Sequence, residues 1–201
     1  FYLSNRGATG VFINGRTKVT ATDILADNGV VHVIDRTLMP PSQTIAQIAT
    51  TLSTATSGAE FTQLVAALTR VPALLDAASA TGSNLTVFAP TDAAFSELYT
   101  ALGVTGINDI NLTTLTAVLQ HHIISSPTTA TGRVFSCDLI TGSVPTLNGN
   151  ISISATAGTV TSGNGTMATI STNAALVNVL ATNGVIHTIN KVLLPSGTGS
   201  K

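Results

Sequence analysis

Four side chains in this sequence could carry a proton near neutral pH: His32, His121, His122 and His187. Set beside Asp92 and a serine, His122 supplies the parts of a hydrolytic triad, and a cluster of histidines is the raw material of a metal site. The spacing argues against both. His187 shares its strand face with Val185 and Ile189, and His122 shares its helix face with Leu115 and Leu119. Each therefore reads as a core histidine held by a hydrogen bond. Adjacent helical residues point about 100° apart, which puts His122 inside and His121 nearer the surface. No Gly-x-Ser-x-Gly elbow, His-Glu-x-x-His helix, phosphate-binding glycine loop or EF-hand occurs. The single cysteine, Cys137, excludes an internal disulfide and leaves a metal without a thiolate partner. It reads as a buried, inert thiol. The sequence predicts no catalytic residue, no metal and no cofactor.

The composition narrows the class. Hydrophobic residues make up 44% of the 201, enough to bury a core, while only 8% are charged. The surface is then polar but nearly neutral, with Thr, Ser, Asn, Ala and Gly in place of the usual charges. A net charge of -1 and eight scattered Lys and Arg residues give no basic stripe for phosphates, so nucleic acid is not an expected partner. No window approaches the ~18 apolar residues of a membrane helix, and no basic segment followed by an apolar stretch opens the chain. The region shown is not membrane-spanning, and an export signal is expected to have been removed or to lie upstream. Low cysteine in a secreted protein fits a bacterial cell surface better than an animal matrix.

The elements that must position these residues show an internal repeat. Asn28-Gly29-Val30-Val31-His32-Val33-Ile34-Asp35-Arg36-Thr37-Leu38-Met39-Pro40 recurs as Asn183-Gly184-Val185-Ile186-His187-Thr188-Ile189-Asn190-Lys191-Val192-Leu193-Leu194-Pro195, offset by 155 residues. Between the copies the periodicity is first helical. Ile45, Ile48, Ala49 and Leu52 form one stripe and Phe61, Leu64, Val65 and Leu68 another, the latter opened by a capping box at Ser57-Gly58-Ala59-Glu60. Pro72 sits in the first turn of a third helix, Thr91 or Asp92 caps a fourth that buries Phe95, and Asn111 caps a fifth. After Pro127 the period becomes two, with turns at Asn148-Gly149 and Asn183-Gly184. Helices followed by strands predict an α+β fold.

Thr86-Val87-Phe88-Ala89-Pro90-Thr91-Asp92-Ala93-Ala94-Phe95 resembles the first signature block of the fasciclin domain, and Asn183 to Pro195 resembles the second. His121-His122-Ile123-Ile124 falls where that family has a central Tyr-His pair. The resemblance implies a fasciclin-like, wedge-shaped β-sandwich with a cluster of helices, preceded by a partial second copy. Residues 42–195 are then one complete domain, residues 1–41 the C-terminal remainder of an upstream one, and residues 196–201 a flexible tail. In the first block Leu85, Val87 and Ala89 take one side of a strand and Thr86 and Phe88 the other, before Pro90 ends it. In the second, Asn183-Gly184 suits positive φ and opens a central strand that Pro195 terminates. His187 is expected to bond to Thr91 or Asp92 at the strand-to-helix corner.

The function that the resemblance implies is an extracellular adhesion or scaffold module, secreted or at the cell surface. Its partner is another surface protein, a matrix polymer or a further copy of itself. His121, His122, Asp92 and Asn190 are the candidate contact residues. His121 replaces the family's Tyr and Asn190 an acidic residue, while Arg6-Gly7-Ala8 stops short of Arg-Gly-Asp, which argues against direct integrin binding. Asn-x-Ser/Thr triplets at Asn84, Asn111, Asn150 and Asn164 are expected by chance in so Ser- and Thr-rich a chain. The competing reading is a small-molecule carrier or hydrolase using a cleft near Asp92 and His122. Residues 1–41 read as strands, with Val11 and Ile13 before Asn14-Gly15 and a core-type strand from Val30. Strands of that kind need cover, from further sequence upstream or from another chain.

Overall fold

The computed structural model of the chain describes residues 1–5, 7–124, 133–173 and 175–197. Arg6 and most of the terminal tail lie outside them. The chain opens with a four-stranded antiparallel meander: β1 (Leu3–Asn5), β2 (Val11–Ile13), β3 (Thr17–Ala26) and β4 (Gly29–Ile34), in that spatial order. Helices α1 (Ile45–Ser53), α2 (Thr62–Arg70) and α3 (Pro72–Ser79) follow, then β5 (Leu85–Pro90), α4 (Asp92–Leu102) and α5 (Leu112–His121). The remainder is strand: β6 (Ile123–Ile124), β7 (Gly142–Pro145), β8 (Asn150–Ser154), β9 (Thr159–Thr161), β10 (Met167–Thr169), β11 (Val179–Ala181) and β12 (Gly184–Ile189). The fold is α+β, as expected, with β5 set among the helices.

Residues 42–195 carry two four-stranded sheets, ordered β11-β12-β5-β6 and β10-β9-β8-β7. At the centre of the first, β12 and β5 run parallel from Gly184↔Leu85 to Ile189↔Pro90. Every residue of both strands is buried, which explains their nearly unbroken apolar runs. One face sends Leu85, Val87, Ala89 and Ile186 into the helical core beside Ile45, Leu64, Phe95 and Leu115. The other sends Phe88 and Ile189 into a second core with Ile151, Ile153 and Val160 of the opposite sheet. The division of β5 into two faces is the one its alternation predicts.

The helix starts show where local chemistry was read correctly and where it was overridden. Pro72 opens α3, Thr91 caps α4 and Asn111 caps α5, as expected. The capping box lies elsewhere: Thr44 and Gln47 make one at α1, whereas Ser57 to Glu60 precede α2 without capping it. Helix α2 starts from Phe61, held at φ 70° with no side-chain cap of its own. Phe61 is buried, so packing of its ring sets the backbone there and the cap has to come from another part of the chain.

Asn183-Gly184 corrects a second expectation. Gly184 does not adopt positive φ; a Cβ there would meet the Leu85 carbonyl oxygen at 2.3 Å and Ile45 Cδ1 at 2.7 Å. Glycine is required because β5 and α1 pass so close. Asn183, fully buried, ties the same junction, accepting from the Ile45 N–H (2.9 Å) and donating to the carbonyls of Ala78 (2.8 Å) and Ala80 (3.0 Å). Gly184→Ala is therefore expected to cost about 3 kcal/mol, as overpacking against main chain does. Gly29→Ala, with nothing within 4 Å of the added atom, should stay within about 0.5 kcal/mol of the parent chain. Urea unfolding of the two variants is the check, and equal losses would refute the steric account.

Candidate functional site

The first cluster of sequence-predicted residues surrounds the main chain of a single residue, Val134. His187 is fully buried, and its Nε2–H donates to the Val134 carbonyl at 2.8 Å, while the Val134 N–H donates to Thr86 Oγ1 at 2.9 Å. The expected partners Thr91 and Asp92 are not used. His187 pairs in register with Phe88, and the corner comes later along β5, where the Thr91 N–H reaches the Ile189 carbonyl instead. Beside the clamped residue, Arg133 donates to the Thr182 carbonyl at 2.6 Å and to Asn84 Oδ1 at 3.2 Å, and covers the Tyr2 ring at 4.9 Å. Phe135 packs on Tyr2, with ring centres 5.9 Å apart, and against Gly15. Asn178 accepts from the Ser136 N–H (2.7 Å) and donates to the Gly15 carbonyl (3.0 Å). The parallel pair thus holds residues 133–136, and these seat the N-terminal meander. Sequence reasoning missed this segment; the available signal was the repeat, in which Asn178 stands 155 residues after Asp23.

His121 and His122 are both buried. His122 Nδ1–H donates to the Val118 carbonyl at 2.7 Å and its Nε2 accepts from the Leu193 N–H at 2.9 Å. His121 Nδ1–H donates to the Asn148 carbonyl at 2.5 Å. The expected exposure of His121 is therefore wrong: α5 ends there, β6 begins two residues later, and the Asn148-Gly149 turn covers the ring, anchored by Asn148 Nδ2–H to the Ala117 carbonyl at 3.0 Å. Burial disfavours the charged form and holds both His122 and His187 down at about 4, with the neighbouring His121 adding to the effect at His122. Cys137 is half-buried, not buried as expected.

Asp92 supplies the cap that α2 lacks. Its Oδ2 accepts from the Thr62 N–H (3.1 Å) and hydroxyl (2.7 Å), its Oδ1 accepts from the Gln63 N–H (2.8 Å), and its own N–H donates to Glu60 Oε1 at 2.6 Å. A carboxylate at a helix N-terminus also complements the helix dipole. Asn190 is exposed, and its Oδ1 accepts from the Thr169 N–H at 2.7 Å. Its counterpart Asp35 does the same for the Lys18 N–H at 2.9 Å.

Asp92 and His122 are not brought together; each is engaged with main-chain groups of its own surroundings. Where the competing reading placed a cleft, between helices and sheet, there is an apolar void of about 30 Å³ lined by residues such as Phe61, Leu119 and His122. Open clefts lie elsewhere, one of about 510 Å³ beside α1 and α3 and another next to the meander. The one next to the meander measures about 480 Å³ and is lined by Arg16, Arg36, Met39, Gln43, Leu52 and Leu180 among others. Among the described residues no three His, Cys, Asp or Glu side chains gather to hold a metal ion.

A helical cluster on one face of a parallel strand pair, a second sheet on the other, and two signature blocks joined along that pair define a fasciclin domain. The family model of the fasciclin domain matches residues 1–40 and 59–195, and the chain belongs to this family. Stabilin-2 of Rattus norvegicus is 30% identical over 120 residues, 57% of this chain and 8% of that protein. A fasciclin-like arabinogalactan protein of Arthroderma benhamiae is 28% identical over 191 residues, 94% of this chain and 39% of that protein. The chain thus spans less than half the length of either relative. The FAS1 domain pair of the insect cell adhesion molecule Fasciclin I shares the fold, with a TM-score of 0.59 at 20% identity, over 100% of this chain and 68% of that one.

Two consequences are measurable. His122 and His187 are depressed in the folded state, so the unfolded chain binds more protons between their ordinary value of 6.5 and about 4. Their contribution to stability is complete above pH 6.5 and lost as pH falls toward 4, on the order of 3 kcal/mol for each ring. Urea midpoints should drop steadily from pH 7.5 to 4.5 and less steeply in His187→Gln; a flat profile would refute the burial argument. Asp92→Ala should lose about 1–2 kcal/mol by uncapping α2, part of it restored in Asp92→Asn. An unchanged midpoint for Asp92→Ala would count against the cap.

Proposed function

We propose that this chain is an extracellular adhesion or surface-scaffold module that acts through protein or matrix contacts without catalysis. The observation that carries the reading is the state of its proton-carrying and polar block residues. His122, His187 and Asn183 are buried and bonded to main chain, and Asp92 caps a helix. The three buried groups present nothing to solvent, and the half-buried Asp92 carboxylate is engaged by Thr62 and Gln63. What faces outward is mostly uncharged and polar, a surface suited to contact by shape and hydrogen bonds. Of the four candidate contact residues, Asn190 is the exposed one, and the contact surface is placed around it and Lys191. The kinship with an insect cell adhesion molecule supports this reading.

The chain is read as two modules, residues 1–41 being the end of one and residues 42–195 the whole of the next, secreted or held at the cell surface. Its partner is another surface protein, a matrix polymer or a further copy of itself. Surfaces coated with the purified chain should retain cells of the producing organism above an inert protein coat, and Asn190→Arg should reduce that retention while leaving the fold intact. Retention no better than the inert coat overturns the proposal, as does turnover of ester substrates that disappears in a folded His122→Asn variant.

A further inference from the structure

The repeat sets two equivalent strands in unequal surroundings. Ile24↔Val31, Leu25↔Val30 and Ala26↔Gly29 pair β3 with β4 in the register by which Val179↔Ile186, Leu180↔Val185 and Ala181↔Gly184 pair β11 with β12. The residues before these hairpins, Asp23 and Asn178, both hold positive φ, 59° and 52°. Yet Val185 and Ile186 are 0% and 2% exposed, and their counterparts Val30 and Val31 are each 52% exposed. The difference lies on one edge. β12 has β11 on one side and β5 on the other, whereas β4 has β3 alone.

Gly29 carries the same information. At Gly184 a side chain would strike the Leu85 carbonyl, while at Gly29 nothing lies within 4 Å and φ is not positive. Nothing in its present surroundings requires glycine there; a strand passing as close as β5 does would. The ladder has a phase as well. The Leu85 and Thr91 N–H groups donate to the Asn183 and Ile189 carbonyls, which turns the main-chain groups of Val185, His187 and Ile189 toward β5. Their counterparts on the free edge are Val30, His32 and Ile34.

We propose that the free edge of β4 receives a parallel strand of the same polypeptide, encoded about 70 residues ahead of Phe1, the repeat distance that separates β5 from its own counterpart. The proposal rests on the two-module reading. The incoming strand is apolar on both faces, as a strand buried in a parallel pair must be, and covers Val30 and Val31. A second copy of this chain cannot supply that parallel strand from the equivalent element. Its own β5 is flanked on both edges by β12 and β6 and has no edge to offer.

Hydrogen exchange on the protein isolated from its producing cells, compared with the 201-residue chain, tests this. In the isolated protein the Val30 and His32 amides should exchange as slowly as those of Val185 and His187, and in the 201-residue chain at least about 100-fold faster. Gly29→Ala should lower a Tm of the isolated protein by about 5 °C or more and leave the 201-residue chain unchanged. A natural polypeptide that begins at Phe1 overturns the two-module reading and the strand together. A longer polypeptide with fast exchange at Val30 and His32, or insensitive to Gly29→Ala, keeps the two modules and overturns the pairing. Protection that appears in the 201-residue chain with rising concentration assigns the edge to a second copy and also overturns it.

Discussion

The parallel pairing of β5 with β12 is the constraint on which the rest of the structure depends. Its strands lie about 100 residues apart in sequence, so the pair closes a long loop, whose closure entropy is spent before the pairing can offset it. Once paired, the strands offer an apolar surface on each side. Helices α1 to α5 cover one and the β7–β10 sheet covers the other. Gly184 allows the strands to approach, and Asn183 joins the start of α1 and the end of α3 to the same point. A slip of β5 by one residue against β12 would turn Phe88 away from the intersheet core and bring Leu85 and Val87 into it.

The polar groups within this core specify that register. Thr86 and His187, on neighbouring strands, bind the N–H and the C=O of Val134, an arrangement that depends on the alignment of β5 on β12. A buried hydroxyl or imidazole left unpaired costs roughly 1–3 kcal/mol, so misaligned pairings are penalised more than an all-apolar core would penalise them. The same clamp extends outward, because Phe135, next along the chain, is the seat of Tyr2 and Gly15. Contact between the N-terminal meander and the domain is thus set by the alignment of two strands in the interior.

Periodicity and capping chemistry revealed most of the fold, and distance in sequence hid the rest. The stripe of Ile45, Ile48 and Ala49, the alternation of β5, and the caps at Thr91 and Asn111 all depend on neighbours a few residues away, and those readings agree with the structure. The capping box at Ser57 failed because the cap of α2 comes from Asp92, 30 residues later in the chain. The 100° between adjacent helical residues puts His121 nearer the surface when only the helix is considered; a distant turn at Asn148 buries it instead. The partner of His187 is a main-chain carbonyl of an irregular segment, and no side-chain pattern marks such a group. Local pattern thus singled out residues such as Asn183, His187 and Asp92, while the bonds they make depend on contacts that local sequence does not encode.

The two copies of the repeat separate what a strand carries from what its surroundings supply. Asn28-Gly29 and Asn183-Gly184 begin hairpins of identical register, so the pairing with the preceding strand is encoded locally and survives in both. Burial is not encoded locally: His187 is enclosed and bonded to Val134, whereas His32 is exposed and accepts only a long bond, 3.3 Å, from the Asp23 N–H. Position in the block therefore does not fix what its histidine does; the second neighbouring strand does. The same holds for function. In the second copy the block residues are drawn into the interior by β5, so on the proposed adhesion reading recognition falls to the turns and edges around them, in a chain only 8% of whose residues are charged. Shape complementarity and hydrogen bonding must then supply specificity, because a surface with so few charges has little long-range field with which to select a partner.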